Sequence, residues 1–191
     1  MSTLDIVLAE LDAGRAVVVP TDTVYGLAAS LRAAGGVDEL FRQKGRPREK
    51  AIPVLGHDPA ALEAVASFDE RARVAARLWP GPLTIVLPRA PGFTADLGGT
   101  GDSVAVRIPE HPLVLELLSI TGPLAVTSAN LSGRPPLTTA QDARRVFPSG
   151  MAVLDGGTCE GAPSTVLDLT GEPRILRAGA LDAGDLQALM S

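Results

Sequence analysis

The chain has one cysteine, Cys159, and two histidines, His57 and His111. A single thiol forms no intrachain disulfide and no cysteine metal cluster, a usage that suits a reducing compartment. Two histidines outside any HExxH frame do not make a histidine-rich metal site, and each reads as a loop residue. Aromatic residues are 3% of the chain, so platforms for stacking single-stranded RNA are scarce. There is no GxxxxGK[ST] loop, no GxGxxG opening a helix after a strand and no GxSxG elbow, which removes three common routes to nucleotide binding or acyl transfer. No apolar run approaches the ~18 residues of a membrane span. The opening MSTLDIVLAELDAG carries acids and no basic n-region, unlike a signal peptide. These absences point to a cytoplasmic protein without a membrane partner.

What is present is ordinary in bulk and uneven in detail. At 191 residues, with 46% hydrophobic and 20% charged residues, the chain reads as one domain, 1–191, with a core large enough to fold unaided. A net charge of −5 argues against a general nucleic-acid coat but leaves room for a local basic patch. One exists: RQKGRPREK, Arg42 to Lys50, puts cations at Arg42, Lys44, Arg46, Arg48 and Lys50. If the segment is extended, alternate side chains share a face. Pro47 favours that conformation around Arg46, and all five cations would then face one polyanion such as a triphosphate. A charged, solvated edge strand fits the same spacing.

In chain order, Thr3–Leu11 reads as a helix capped by Ser2 or Thr3, and Ala16–Val19 as a buried strand. Thr21, Asp22, Thr23 and Tyr25 then offer polar atoms at a strand end, as a ligand site or as caps for a helix from Val24 onward. Val37–Gln43 is expected to be a helix and Ala51–Leu55 a strand. Helices start at Asp58-Pro59 and at Asp69, the second ending near Trp79. Leu83–Leu87 and Val104–Ile108 read as strands around a glycine-rich loop. Arg107, inside the second, needs either an internal ion pair or an anionic ligand. Pro112–Ser119 is a helix and Leu124–Thr127 a strand. Thr127, Ser128, Asn130 and Ser132 at its end fit a turn or a ligand, and the residues alone favour the turn. Thr139–Phe147 is a helix. Met151–Leu154, Ser164–Leu169 and Arg174–Leu176 are strands, and LDAGDLQALM closes as a short helix. Irregular alternation favours a mixed α/β or α+β sheet flanked by helices. Cations, hydroxyls and amides without an obvious base or nucleophile fit chemistry driven by positioning and charge neutralisation.

Six segments together resemble the YrdC-like family of threonylcarbamoyl-AMP synthases: PTDTVYGLAAS, KGRPREKAIPVL, WPGPLTIVLP, VAVRIPEHP, TSANLSG, and STVLDLT followed by RILRAGA. They stand in the family order and span nearly the whole chain, at the length of the short, single-domain members. The resemblance implies a twisted mixed sheet with a concave basic cavity. It also implies a nucleotidyltransferase reaction, in which L-threonine, bicarbonate and ATP give threonylcarbamoyl-AMP and pyrophosphate. A transferase complex then passes the threonylcarbamoyl group to tRNA beside the anticodon. The family's K-x-R falls on Lys44 and Arg46 and its S-x-N on Ser128 and Asn130, which stand as the catalytic candidates. ATP would be met by Lys44, Arg46, Lys50, Ser103, Ser128, Asn130 and Arg177. Threonine would be met by Thr23, Arg107, Thr127 and Ser164, with Arg107 on the carboxylate. Magnesium is expected on the ATP phosphates, with no dedicated protein cage. Some relatives carry a histidine where this chain has Leu55. The alternatives are an RNA-binding or ribosome-associated member of the same fold that makes no adenylate, and a carbamoyl-adenylate handler acting on another substrate.

Overall fold

Along the strands, apolar residues alternate between two clusters, the period-2 signature of a sheet buried on both faces. The computed structural model describes residues 2–147, 150–159, 161–182, 184 and 186. Its strands are β1 (Val17–Val19), β2 (Gly26–Ser30), β3 (Val54–Leu55), β4 (Leu83–Pro88), β5 (Ser103–Arg107), β6 (Leu124–Ser128), β7 (Thr165–Asp168) and β8 (Arg174–Arg177). They form one sheet in the order β1-β2-β6-β3-β5-β4-β7-β8. The β3–β5 and β4–β7 pairs are parallel and the others antiparallel. The expected mixed α/β architecture is therefore present.

The helices are α1 (Thr3–Asp12), α2 (Gly36–Lys44), α3 (Pro59–Glu63), α4 (Glu70–Ala75), α5 (Pro112–Thr121) and α6 (Ala140–Val146), with a 3₁₀ turn at Ala76–Leu78. Their starts follow the capping chemistry. Ser2 and Asp5 exchange side-chain-to-backbone bonds in a capping box, and Asp58, Asp69 and Thr139 each accept from a backbone N–H of the first turn.

One sheet face carries Val18, Leu27, Val54, Ile85, Val106 and Ala125 beneath Leu40 and Phe41 of α2, Leu62 of α3, Ala72 and Ala75 of α4, and Ala140 and Ala143 of α6. The other carries Val17, Val19, Ala28, Leu55, Leu124 and Val126 beneath Val7 and Leu11 of α1 and Val114, Leu117 and Leu118 of α5. That second cluster draws no residue from β4, β5 or β7. By strand parity those strands present Thr84, Ala105, Arg107 and Val166 there, and all four line a cavity. The site is the part of this face that α1 and α5 leave uncovered.

Several local expectations change. Arg42 to Lys50 is not an extended row: Arg42 and Lys44 lie in α2, which stops at Gly45 in the left-handed region at φ 61°. Val24 onward forms strand β2, not a helix. Met151–Leu154 is reduced to one bridge, Val153 beside Val18, flanked by two backbone bonds to Val18. Ala51–Leu55 pairs only at Val54 and Leu55. The closing helix expected over 181–190 lies largely outside the described residues.

Candidate active site

The cavity measures about 320 Å³ and is lined from β2, β3, β4, β5, β6, β7 and β8, and from the segments that enter and leave them. This is at the low end of the ~300–1,000 Å³ typical of small-molecule sites. Its floor is apolar and small. Gly26 pairs with Ser128, and a Cβ there would meet Val126 Cγ1 at 2.6 Å. A side chain at this position would crowd the floor. Leu55 also lines the cavity, at the position where the family resemblance puts a histidine in some members.

Of the residues expected from sequence, Thr23, Arg46, Arg107, Thr127, Ser128, Ser164 and Arg177 line this one cavity. They come from segments up to 154 positions apart (Thr23 to Arg177). Lys44, Lys50, Ser103 and Asn130 are not on its wall. Ser103 lies on the face that Ala105 and Arg107 share, at the far end of β5. Lys50 is exposed, and its carbonyl accepts from Arg46 Nε at 2.8 Å.

Lys44 is not the solvated cation that its setting in a charge run suggests. It is 3% exposed, and its ammonium donates to Ser128 O, to Ser128 Oγ at 3.0 Å and to Asn130 Oδ1 at 2.9 Å. Asn130 spends its amide on Leu131 O at 2.9 Å and Arg134 O at 2.6 Å. Lys44 and Asn130 thus form a buried clasp under the end of β6 and hold Ser128 at the wall. Burial, together with the nearby charge of Arg46, pushes Lys44 down to about 8.

Arg107 has the internal ion pair set out as one alternative, and it also faces the cavity. It is 6% exposed and lines the cavity. Nε donates to Gly81 O at 2.9 Å, Nη1 to Thr23 Oγ1 at 3.1 Å, and Nη2 to both carboxylate oxygens of Asp22 at 2.6 Å. Asp22 also accepts from Glu110 N at 3.1 Å. Burial lowers the Arg107 pKa, Asp22 opposes that, and the charge of Arg177 adds to it, so the two guanidiniums share a field.

Arg46 and Arg177 differ from the arginines that carry ion pairs. Arg46 donates to Lys50 O and to Ala51 O at 2.7 Å. Arg177 donates to Ser164 O at 3.2 and 2.8 Å and to Ser164 Oγ at 3.1 Å. Neither has a carboxylate partner among the described residues, and burial lowers the pKa of each. Two cations anchored by neutral acceptors beside hydroxyls leave positive charge uncompensated at the cavity, which suits an anion.

The rest of the basic stretch is spent on the protein. Arg42 pairs with Glu39, and Arg48 pairs with Asp38 and Asp96 and lies over the Phe41 ring at 4.2 Å. Gly99 N donates to Arg48 O at 2.8 Å and Gly98 N to Asp96 Oδ1 at 2.9 Å, so these N–H groups do not form an open anion nest. At Gly98, φ is +75° and a Cβ would meet Arg48 O at 2.5 Å, a close approach that glycine permits. The polar lining residue missed from sequence is Thr84; of the strand-end group singled out there, Thr21 lines the wall and Asp22 supports it through Arg107. A lone hydroxyl in LTIVLP was the available signal for Thr84, of the same kind as the lone cation in VAVRI. No group of three or more His, Cys, Asp or Glu side chains among the described residues could hold a metal, and no helix there is long and apolar enough to cross a membrane.

A small-molecule cleft rich in cations and hydroxyls on a mixed sheet defines an anion-binding class of site, and comparison with known proteins places it more narrowly. The Sua5/YciO/YrdC family model, described as telomere recombination, matches residues 9–179. A putative threonylcarbamoyl-AMP synthase of Mycobacterium tuberculosis is 44% identical over 174 residues, 88% of this chain and 80% of that protein. The threonylcarbamoyl-AMP synthase of Pyrococcus abyssi is 37% identical over 183 residues, 93% of this chain and 54% of that one. The crystal structure of P. abyssi Sua5 complexed with L-threonine matches with a TM-score of 0.92 at 36% identity, covering 98% of this chain and 57% of that chain. E. coli YciO, at 22% identity and a TM-score of 0.84, shares the fold. The chain belongs to the Sua5/YciO/YrdC family.

Proposed function

We propose that this cleft makes L-threonylcarbamoyl-AMP and pyrophosphate from L-threonine, bicarbonate and ATP. The observation that carries this reading is a coincidence of lineage and geometry. A 36% identical relative was solved with L-threonine, and the threonine-side residues Thr23, Arg107, Thr127 and Ser164 of this chain line one cavity with Arg46 and Arg177. Threonine carbamate is already anionic and needs no strong base to attack the α-phosphate. It needs two anions brought together and their charges offset. Arg46 and Arg177, with Ser128 at the end of β6, form the phosphate side. Arg107 reaches the amino-acid carboxylate through Nη1, because Asp22 holds Nη2. Lys44 acts on the phosphates through its field and by fixing Ser128, its donors being engaged. Lys50 and Ser103 extend the nucleotide side beyond the cavity wall. Magnesium enters with ATP as part of the substrate, on its phosphates and water.

In this reading the product passes in the cytoplasm to a transferase complex that modifies tRNA beside the anticodon. The test is pyrophosphate release by the purified protein with ATP, magnesium and bicarbonate, with and without L-threonine. Threonine-dependent release that serine does not reproduce is expected. ATP binding without such release would move the chain to another acceptor. Absence of both would leave the basic segment as an RNA contact, with affinity falling steeply as salt rises.

A further inference from the structure

Thr84 lies mid-strand in β4 among Leu83, Ile85 and Leu87. It is buried, lines the cavity and makes one side-chain hydrogen bond among the described residues, Oγ1 to Ser164 Oγ at 2.8 Å. Ser164 Oγ also accepts from Arg177 Nη2 at 3.1 Å, because a guanidinium can only donate. Two hydroxyls and one cation therefore form a short chain at the wall. Counting protons shows what the chain lacks. If Ser164 donates to Thr84, the Thr84 proton has no acceptor within the described protein. If Thr84 donates to Ser164, the Ser164 oxygen accepts twice and its own proton is left over. In either order one O–H is left at the cavity wall without a protein acceptor. The order Arg177 to Ser164 to Thr84 is also the one in which each bond polarises the next.

We infer that Thr84 is a further substrate-binding group, the outer member of an Arg177–Ser164–Thr84 hydrogen-bond chain that donates a hydroxyl hydrogen bond to a substrate oxyanion. This rests on the synthase reading. The expected acceptor is the carboxylate of the amino acid, since Ser164 stands on the threonine side; a phosphate oxygen has the same chemistry.

Thr84→Val keeps shape and removes the hydroxyl. In threonine-dependent pyrophosphate release it is expected to raise the KM for L-threonine about tenfold or more, the loss of one hydrogen bond to a charged acceptor. The KM for ATP should stay near wild type, any fall in the melting midpoint should be no more than one neutral hydrogen bond accounts for, and Thr84→Ser should restore the threonine KM. A rise in the ATP KM instead, restored by serine, keeps the donor and assigns its acceptor to a phosphate. Unchanged KM values in an active Thr84→Val protein, or a loss that serine does not restore, overturn the inference while the synthase reading stands. A wild-type protein without threonine-dependent release overturns that reading and the inference with it.

Discussion

Two buried base cations, Arg107 in the cavity wall and Lys44 behind it, and two rim cations, Arg46 and Arg177, which line the cavity, are held in two different ways. The base cations are almost fully buried, and their bonds go to side chains distant in sequence: Asp22 and Thr23 for Arg107, Ser128 and Asn130 for Lys44. The rim cations are anchored by carbonyls and one hydroxyl, and they face the cavity without a carboxylate among the described residues. A buried ion pair contributes little net stability but is costly to break on one side. A charge without an ionic partner contributes little to stability and is available to a ligand. The base is thus scaffold with a binding face, and the rim is binding with little scaffold.

The largest effect is expected at the base. Arg107→Ala removes a buried guanidinium and leaves the partly buried Asp22 carboxylate beside no cation, a loss of about 3–5 kcal/mol, read as a fall in the urea midpoint together with loss of activity. An Arg107→Ala protein of wild-type stability, altered only in its threonine KM, would break the distinction between base and rim. At the rim, Arg46→Gln and Arg177→Gln should each weaken pyrophosphate release about 10- to 100-fold through substrate affinity. Stability should move by less than about 1 kcal/mol. Unfolding of either variant would move that arginine into the scaffold class.

Lys44 supplies the sharpest test. Its folded pKa of about 8 lies below the ordinary 10.5, so between those values the unfolded chain binds the proton more tightly. Stability should rise as pH climbs through that window, by up to about 1.4 kcal/mol per unit. Below about 8 both states are protonated and the full cost of burying the charge is present. Lys44→Met should remove this slope, leaving a constant offset from the lost hydrogen bonds, in urea titrations at pH 7, 8.5 and 10. Parallel curves for the two proteins would mean that Ser128 and Asn130 solvate the ammonium as well as water does.

The same contrast explains what could be read from the sequence. The caps at Ser2, Asp58, Asp69 and Thr139 are local chemistry and place four helix starts. The isolated Arg107 was legible as needing a partner, but that partner, Asp22, lies 85 positions away in sequence. The alternation from Arg42 to Lys50 misled because every second residue is a cation in a segment that begins as helix. Glu39 pairs with Arg42 on one α2 face and Gly45 ends the turn, so the spacing no longer maps to a face. Lys44 is buried because Asn130 lies beneath it, 86 positions on, which charge patterning cannot report. The six-segment resemblance carried the site residues across those distances; the strand order and the bare part of the second face came only with the fold.

The strand order has a consequence for how the protein is made. Among the described residues, β1–β2, β4–β5 and β7–β8 join strands consecutive in the chain, and the other pairings span an intervening strand. Such non-local closure is intrinsically slow. During vectorial synthesis, β4 emerges long before β7, its parallel neighbour. Until then LTIVLP presents an unpaired, adhesive edge. The arrival of β7 and β8 shields that edge and, in the same event, delivers Ser164 and Arg177. A nascent chain therefore completes its substrate cleft as it covers an exposed strand edge.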